Sequence, residues 1–233
     1  MEIENRLHIA SFNCGGGEAI AEARGYDVLC AQETKLSFWR FQLKGKKPWL
    51  EGVFQYGRKD QLYSCFAWNN DKQTGYKDLA VISNYKVIQY LLLEIKNTSP
   101  SKGRGLPGVT IEFEGVKFDI YSYHSQSSGE NTQHLDDILS TLEEIHKSTK
   151  NYWIVVGDYN FEARVAETTK MNQGICSVIA GNTGSRPLSK TPDRVLDYCV
   201  TNIDNKKFKL EWVGAKALGK SDHLMQMFSL SKL

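Results

Sequence analysis

The chain has 233 residues, of which 41% are hydrophobic and 24% charged, and its formal net charge is +2. Such a composition belongs to a folded chain with one large core or two small ones and excludes a disordered or collagen-like polymer; its slight basic excess suits a polyanionic ligand without demanding one. No transmembrane segment is expected, because the longest apolar run, around "YLLLEI" at residues 90–95, is far too short.

In chain order, residues 1–13 lack the basic start, apolar stretch and cleavage site of a secretory leader, and "LHIASFN" (7–13) reads as a first strand. "GEAIAEARG" (17–25) is a short helix candidate. "YDVLCAQE" (26–33), "YSCFAWN" (63–69), "LAVIS" (79–83) and "VIQYLLLEI" (87–95) follow as strands. "GVTIEFEG" and "VKFDIYSYH" meet at Gly115, which reads as a hairpin. The clear helix is "NTQHLDDILSTLEEIHKS" (131–148), with Asn131 as cap and Leu135, Ile138, Leu139, Leu142 and Ile145 on one stripe. "YWIVVGDYN" (152–160), "LDYCVTN" (196–202), "FKLEWVGA" (208–215) and "LMQMFSLS" (224–231) complete the strands. No repeat of 20–50 residues and no low-complexity linker interrupts them, so residues 1–233 read as a single domain. Many strands with interspersed helices predict an α/β sandwich, two packed and mostly antiparallel sheets flanked by helices. The five cysteines are scattered without a C-x-x-C pair, which argues against structural zinc and favours a reducing history.

The chemistry-bearing residues gather where strands end. "SFN" ends at Asn13, "AQE" at Glu33 and "YSYH" at His124; "GDYN" supplies Asp158 and Asn160, "LDY" Asp197, and "SDH" Asp222 and His223. Each alone has a structural explanation. Asn13 precedes three glycines and suits a turn, Glu33 suits a surface, and His124 suits a hydrogen-bonded core position. Their joint occurrence at six strand termini is what argues for a site.

In that order these segments resemble the endonuclease/exonuclease/phosphatase superfamily of metal-dependent phosphoesterases, from about residue 7 to the C-terminus. "GDYN" and "SDH" are the most specific parts. "DLAVISN", "GRGLPGVTIEFEGVKFDIYSYH", "NYWIVVGDYNFEA" and "VLDYCV" look most similar to the deoxyribonuclease branch and the catalytic subunit of cytolethal distending toxin. The abasic-site branch carries Tyr where this chain has His124, which disfavours it. The resemblance implies a four-layer sandwich and a Mg²⁺ or Mn²⁺ site with Glu33 as principal ligand and Asn13 and Asp222 near the metal or its waters. It implies that Asp158 orients or deprotonates water, that Asn160 holds a phosphate oxygen, and that His223 faces the phosphate with Asp197 as its carboxylate partner. His124 becomes a second imidazole, Asp78 its orienting acid, and Tyr76 and Arg104 substrate contacts. Arg suits the last role through its forked donors.

The stretch from Asn13 to Glu33 is shorter than is common in the superfamily, and the chain is compact, which bears on substrate preference. Basic residues interleaved with aromatics (Trp39, Arg40, Lys44, Lys46, Lys47 and Trp49, then Tyr56, Arg58 and Lys59) suit a nucleic-acid backbone, although a solvated lysine loop reads the same way. The expectation is a largely sequence-independent DNA endonuclease of the toxin-subunit kind, with delivery or binding subunits as implied partners. The alternative is a phosphoinositide phosphatase or sphingomyelinase-like enzyme, for which "NFEARV" offers only Arg164 as an extra phosphate ligand. A catalytically spent binding module would show a broken site, and every site residue is present.

Overall fold

The computed structural model describes residues 5–17, 24–34, 49–55, 62–68, 78–93, 105–125, 132–168, 174–186 and 193–233. Among them, one sheet has the order β12 (Phe208–Ala217), β13 (Leu224–Lys232), β1 (Arg6–Asn13), β2 (Val28–Thr34), β5 (Asp78–Ser83), β4 (Leu62–Trp68) and β3 (Trp49–Gln55). The other runs β10 (Ser177–Ile179), β11 (Asp197–Thr201), β9 (Tyr152–Asp158), β8 (Val116–His124), β7 (Leu106–Phe113) and β6 (Val87–Leu93). Only β1–β2 and β8–β9 pair in parallel; the other described pairs are antiparallel. Helix α1 (Thr132–Thr149) makes the β8-to-β9 crossover that a parallel pair requires, and α2 (Ala163–Ala166) follows β9.

The two sheets pack face to face. Leu7, Ile9, Val28, Cys30, Val109, Ile120, Ile154, Val156, Cys199 and Phe228 fill the space between them. Trp153 and Val155 point the other way and pack with Leu135, Ile138, Leu139 and Leu142, the expected stripe of α1. Ile145 is only partly buried at its far end. Central strands are therefore covered on both faces, and they read as continuous apolar runs rather than as alternation. The hairpin at Gly115 turns on Glu114 (φ 54°) and Gly115 (φ 75°), the paired positive values of a two-residue turn.

Three elements differ from the sequence expectation. β3 was not predicted, because Gly52 and the basic run before it mask the pattern of an edge strand. β10 and α2 are too short to show a period. The helix expected at 17–25 and the Asn131 cap involve residues outside those described, so the described helices lie on the six-stranded sheet alone.

Candidate active site

Strand parity brings the site together. In β8, Phe118 and Ile120 face the inter-sheet core while Tyr121 and Tyr123 face outward, so His124 points between the sheets. In β9, Ile154 and Val156 carry Asp158 to the same side, and in β11 inward Cys199 does the same for Asp197. The registers His124↔Asp158 and Asp197↔Asp158 then align the three residues in one row across adjacent strand ends. From the opposite sheet, inward Leu7 and Ile9 bring Asn13 to face them. Glu33 leaves its ladder by a different device. Its φ is 48°, the register with β5 shifts between Ala31 and Thr34, and its carbonyl accepts Gly16 N at 2.9 Å.

Asp158 Oδ2 is the centre. Asn13 Nδ2 donates to it at 3.1 Å, and His124 Nε2 and His223 Nε2 lie 3.7 and 3.6 Å away. His124 Nε2 also lies 3.6 Å from Glu33 Oε1. His223 Nδ1 donates to Asp197 Oδ2 at 2.9 Å, a direction that the carboxylate, having only lone pairs, requires. Asn160 (φ 55°) donates its backbone N–H to Asp158 Oδ1 at 2.9 Å and its amide to Ser125 O at 3.0 Å. The "GDYN" turn is thus both a turn and part of the site.

Burial first, and then the charge of Asp197, pushes the Asp158 carboxyl up to about 7, against opposing contributions from His223, Asn160 N and Asn13. Burial alone would lower His223. The charge and hydrogen bond of Asp197, with Asp158 and Asp222 adding to them, outweigh it and raise the imidazole to about 9. Asp222 is partly exposed and held by Arg186 through Nε at 2.9 Å and through Nη2. Burial would raise its carboxyl, but the Arg186 hydrogen bond and nearby His223 leave it lowered.

Asn13, Glu33, His124, Asp158, Asn160, Asp197 and His223 therefore form one constellation, with Asp222 at its edge on Arg186. Asp78 opens β5, and its side chain lies outside what is described; Tyr76 and Arg104 are outside the described residues altogether. Sequence reading missed several supporting groups. Buried Gln32 donates to Ser122 Oγ at 3.1 Å and to Cys30 O at 3.0 Å, a polar tie between the sheets. Ser221 Oγ donates to Asn13 O at 2.6 Å, and Arg186 was not singled out. Gln32 sits inside the quoted "AQE" and Ser221 inside "SDH", so adjacency was the available signal; Arg186 had none.

The donor set fits a hard divalent cation. Glu33 Oε1 and Asp158 Oδ2 lie 3.6 and 3.7 Å from the same His124 Nε2, and Asp197 Oδ1 is buried without a hydrogen-bond partner among the described residues. Candidate ligand atoms of Asp158, Asp197 and His223 lie within 4.8 Å of one another. Since His223 Nδ1 is committed to Asp197, that trio is better read as an acid beside a His–Asp pair. Glu33, whose side chain is 33% exposed, offers the accessible carboxylate. Asn13 Oδ1 accepts Gly15 N at 3.0 Å and keeps a second lone pair.

A model of the Endonuclease/Exonuclease/phosphatase family matches residues 10–223. Among solved structures, CdtB, described as the biologically active subunit of cytolethal distending toxin, aligns with a TM-score of 0.66 and 17% identity over 97% of this chain and 98% of that one. Cytolethal distending toxin from Actinobacillus actinomycetemcomitans aligns at 0.67 and 16% over 95% and 97%. The human Nocturnin catalytic domain, with a bound sulfate anion, aligns at 0.60 and 16% over 100% and 97%. At such identities the likeness is one of fold. No curated protein sequence matches the chain.

Proposed function

Because this chain belongs to the Endonuclease/Exonuclease/phosphatase family, whose members are hydrolytic phosphoesterases, we propose that it is a phosphodiesterase dependent on Mg²⁺ or Mn²⁺ that cuts DNA largely without regard to sequence. We read residues 1–233 as one such domain. Its role would be that of the catalytic subunit of a genotoxin of the cytolethal distending type, with separate subunits for delivery. The observation that carries the chemistry is the convergence on Asp158 Oδ2 of Asn13 and two imidazole Nε2 atoms, one of them backed by Asp197.

A phosphodiester resists attack because its oxygens are anionic and its leaving alkoxide is poor. Asp158 accepts the proton of the attacking water as oxygen bonds to phosphorus and the phosphorus–leaving-oxygen bond breaks. His223, its Nδ1–H held by Asp197 and its pKa raised to about 9, is an imidazolium near neutral pH; it presents Nε2–H to a nonbridging oxygen and stabilises the developing charge. His124 Nε2 faces the same space from the other sheet and is placed to donate to the leaving oxygen. The second amide hydrogen of Asn160, the first being on Ser125 O, is available to the phosphate. When bound through Glu33, with Asn13 and Asp222 near it, the cation would supply Lewis-acid charge against the phosphate.

DNA is favoured over an inositol lipid because "NFEARV" offers Arg164 alone as a basic ligand for extra phosphates. The test is supercoiled-plasmid cleavage with Mg²⁺, with EDTA, and by His223→Ala, run beside phosphate release from phosphoinositide vesicles. Metal-dependent nicking lost in the variant supports the reading. Cleavage in EDTA, or lipid hydrolysis without nicking, overturns it.

A further inference from the structure

The His223–Asp197 hydrogen bond joins two sheets. Asp197 opens β11 in the six-stranded sheet, and His223 immediately precedes β13 in the seven-stranded one. Its 2.9 Å length depends on the gap between the sheets at this edge, which neither strand ladder controls. Ser185 touches both sides of that gap. Its hydroxyl accepts Leu196 N at 2.8 Å and Asp197 N at 2.7 Å, and its carbonyl accepts Leu224 N at 2.8 Å. Its own N–H donates to Arg194 O at 2.9 Å, and the residue is 0% exposed. The neighbouring chain is pinned as well. Gly181 lies under Trp212, where a Cβ would come within 2.6 Å of the ring, and Arg186 grips Asp222.

We infer that Ser185 is a positioning residue for phosphodiester hydrolysis, acting as a strut that sets the separation of Asp197 and His223; this rests on the function proposed above. A hydroxyl oxygen has two lone pairs, and here both are used by the backbone that carries the Asp197 carboxylate. Alanine would leave two buried N–H groups without an acceptor, so the start of β11 must shift to find one. That shift moves Asp197 while Leu224, bonded to the Ser185 carbonyl, keeps His223 in place. The pair lengthens, and the His223 ring loses its fixed orientation.

The experiment compares wild type, Ser185→Ala and Ser185→Thr by steady-state plasmid cleavage. It also follows the NMR resonance of the His223 Nδ1 proton in metal-free protein, assigned by its loss in His223→Ala. In Ser185→Ala, kcat should fall about 10- to 100-fold with KM changed less than about twofold, and the resonance should move upfield or broaden through exchange. Ser185→Thr keeps the acceptor and should stay near wild type in both readouts. An unchanged resonance in Ser185→Ala, wild-type kcat, or an equal loss in the Ala and Thr variants would overturn the inference. Should the alanine protein not fold, Ser185→Cys keeps the volume with a weaker acceptor and is judged by the same outcomes. Wild-type protein that fails to cut DNA would defeat the proposed function, whereas the resonance still decides whether Ser185 holds the pair.

Discussion

Replacing Gly157 with alanine should damage stability and turnover together. Gly157 stands in β9 between Tyr123 of β8 and Tyr198 of β11, one residue before Asp158. Its φ lies outside the left-handed region, so only space excludes a side chain. A Cβ there would sit 1.8 Å from Tyr123 O, 2.7 Å from its carbonyl carbon and 3.0 Å from its Cα. All three are backbone atoms of a paired strand and cannot swing aside. Reaching the 3.0 Å that real Cβ atoms respect requires β8 and β9 to part by about 1.2 Å, taking 1.8 from 3.0. The adjacent register pair is His124–Asp158, so the opening falls on the 3.7 Å approach of His124 Nε2 to Asp158. Overpacking of about 1–3 kcal/mol, with one or two ladder hydrogen bonds lost at about 1 kcal/mol each, predicts a destabilisation of roughly 2–5 kcal/mol. A displacement of order 1 Å at a reacting centre costs about 10²-fold in rate. Urea midpoints in EDTA and plasmid-cleavage kcat read the two effects. Gly25→Ala, where a Cβ meets nothing within 4 Å, is the control that should change neither. A Gly157→Ala protein with wild-type midpoint and turnover would refute the claim that β8–β9 contact sets the site.

Other expectations concern the site directly. His223→Ala and Asp158→Ala should each lower kcat by about 10²–10⁴-fold with an unchanged circular dichroism spectrum; retained turnover in either would remove that residue from the mechanism. Glu33→Gln should raise the Mg²⁺ concentration for half-maximal cleavage by about tenfold or more, which a metal titration measures. In EDTA, stability should decline between about pH 6.5 and 9. The folded-state pKa of His223 is raised from 6.5 to about 9, so its contribution is complete below the unfolded value and vanishes as pH passes the folded one. Asp158, raised from 3.8 to about 7, acts with the same sign at lower pH. At 1.36 kcal/mol per pH unit the His223 part approaches about 3 kcal/mol, and urea midpoints that rise over this range would contradict it. Plasmid cleavage should weaken steeply with added salt as counterions displace basic residues from phosphate; a salt-independent KM would argue against a polynucleotide substrate.

Much of the fold was legible. The eleven expected strands correspond to described ones because each carries enough apolar residues to advertise burial, and α1 shows its stripe at helical spacing. Glu33, His124, Asp158, Asp197 and His223 stood out because each places an ionisable group where an apolar run stops, a position that burial alone would not select.

By itself the amino-acid order determined which residues alternate inward and which polar groups terminate strands, because both follow from a two-residue period and from solvation. Only the tertiary structure decided that His124, Asp158 and Asp197 share one row, that Asn13 reaches Asp158 across the gap, and that Arg186 takes Asp222. Register and sheet separation come from contacts between residues such as Asn13 and Asp158, 145 positions apart, and local pattern carries no record of them. Ser185 shows the difference most plainly. In the chain it is one serine among loop residues, and it matters only because two sheets meet there.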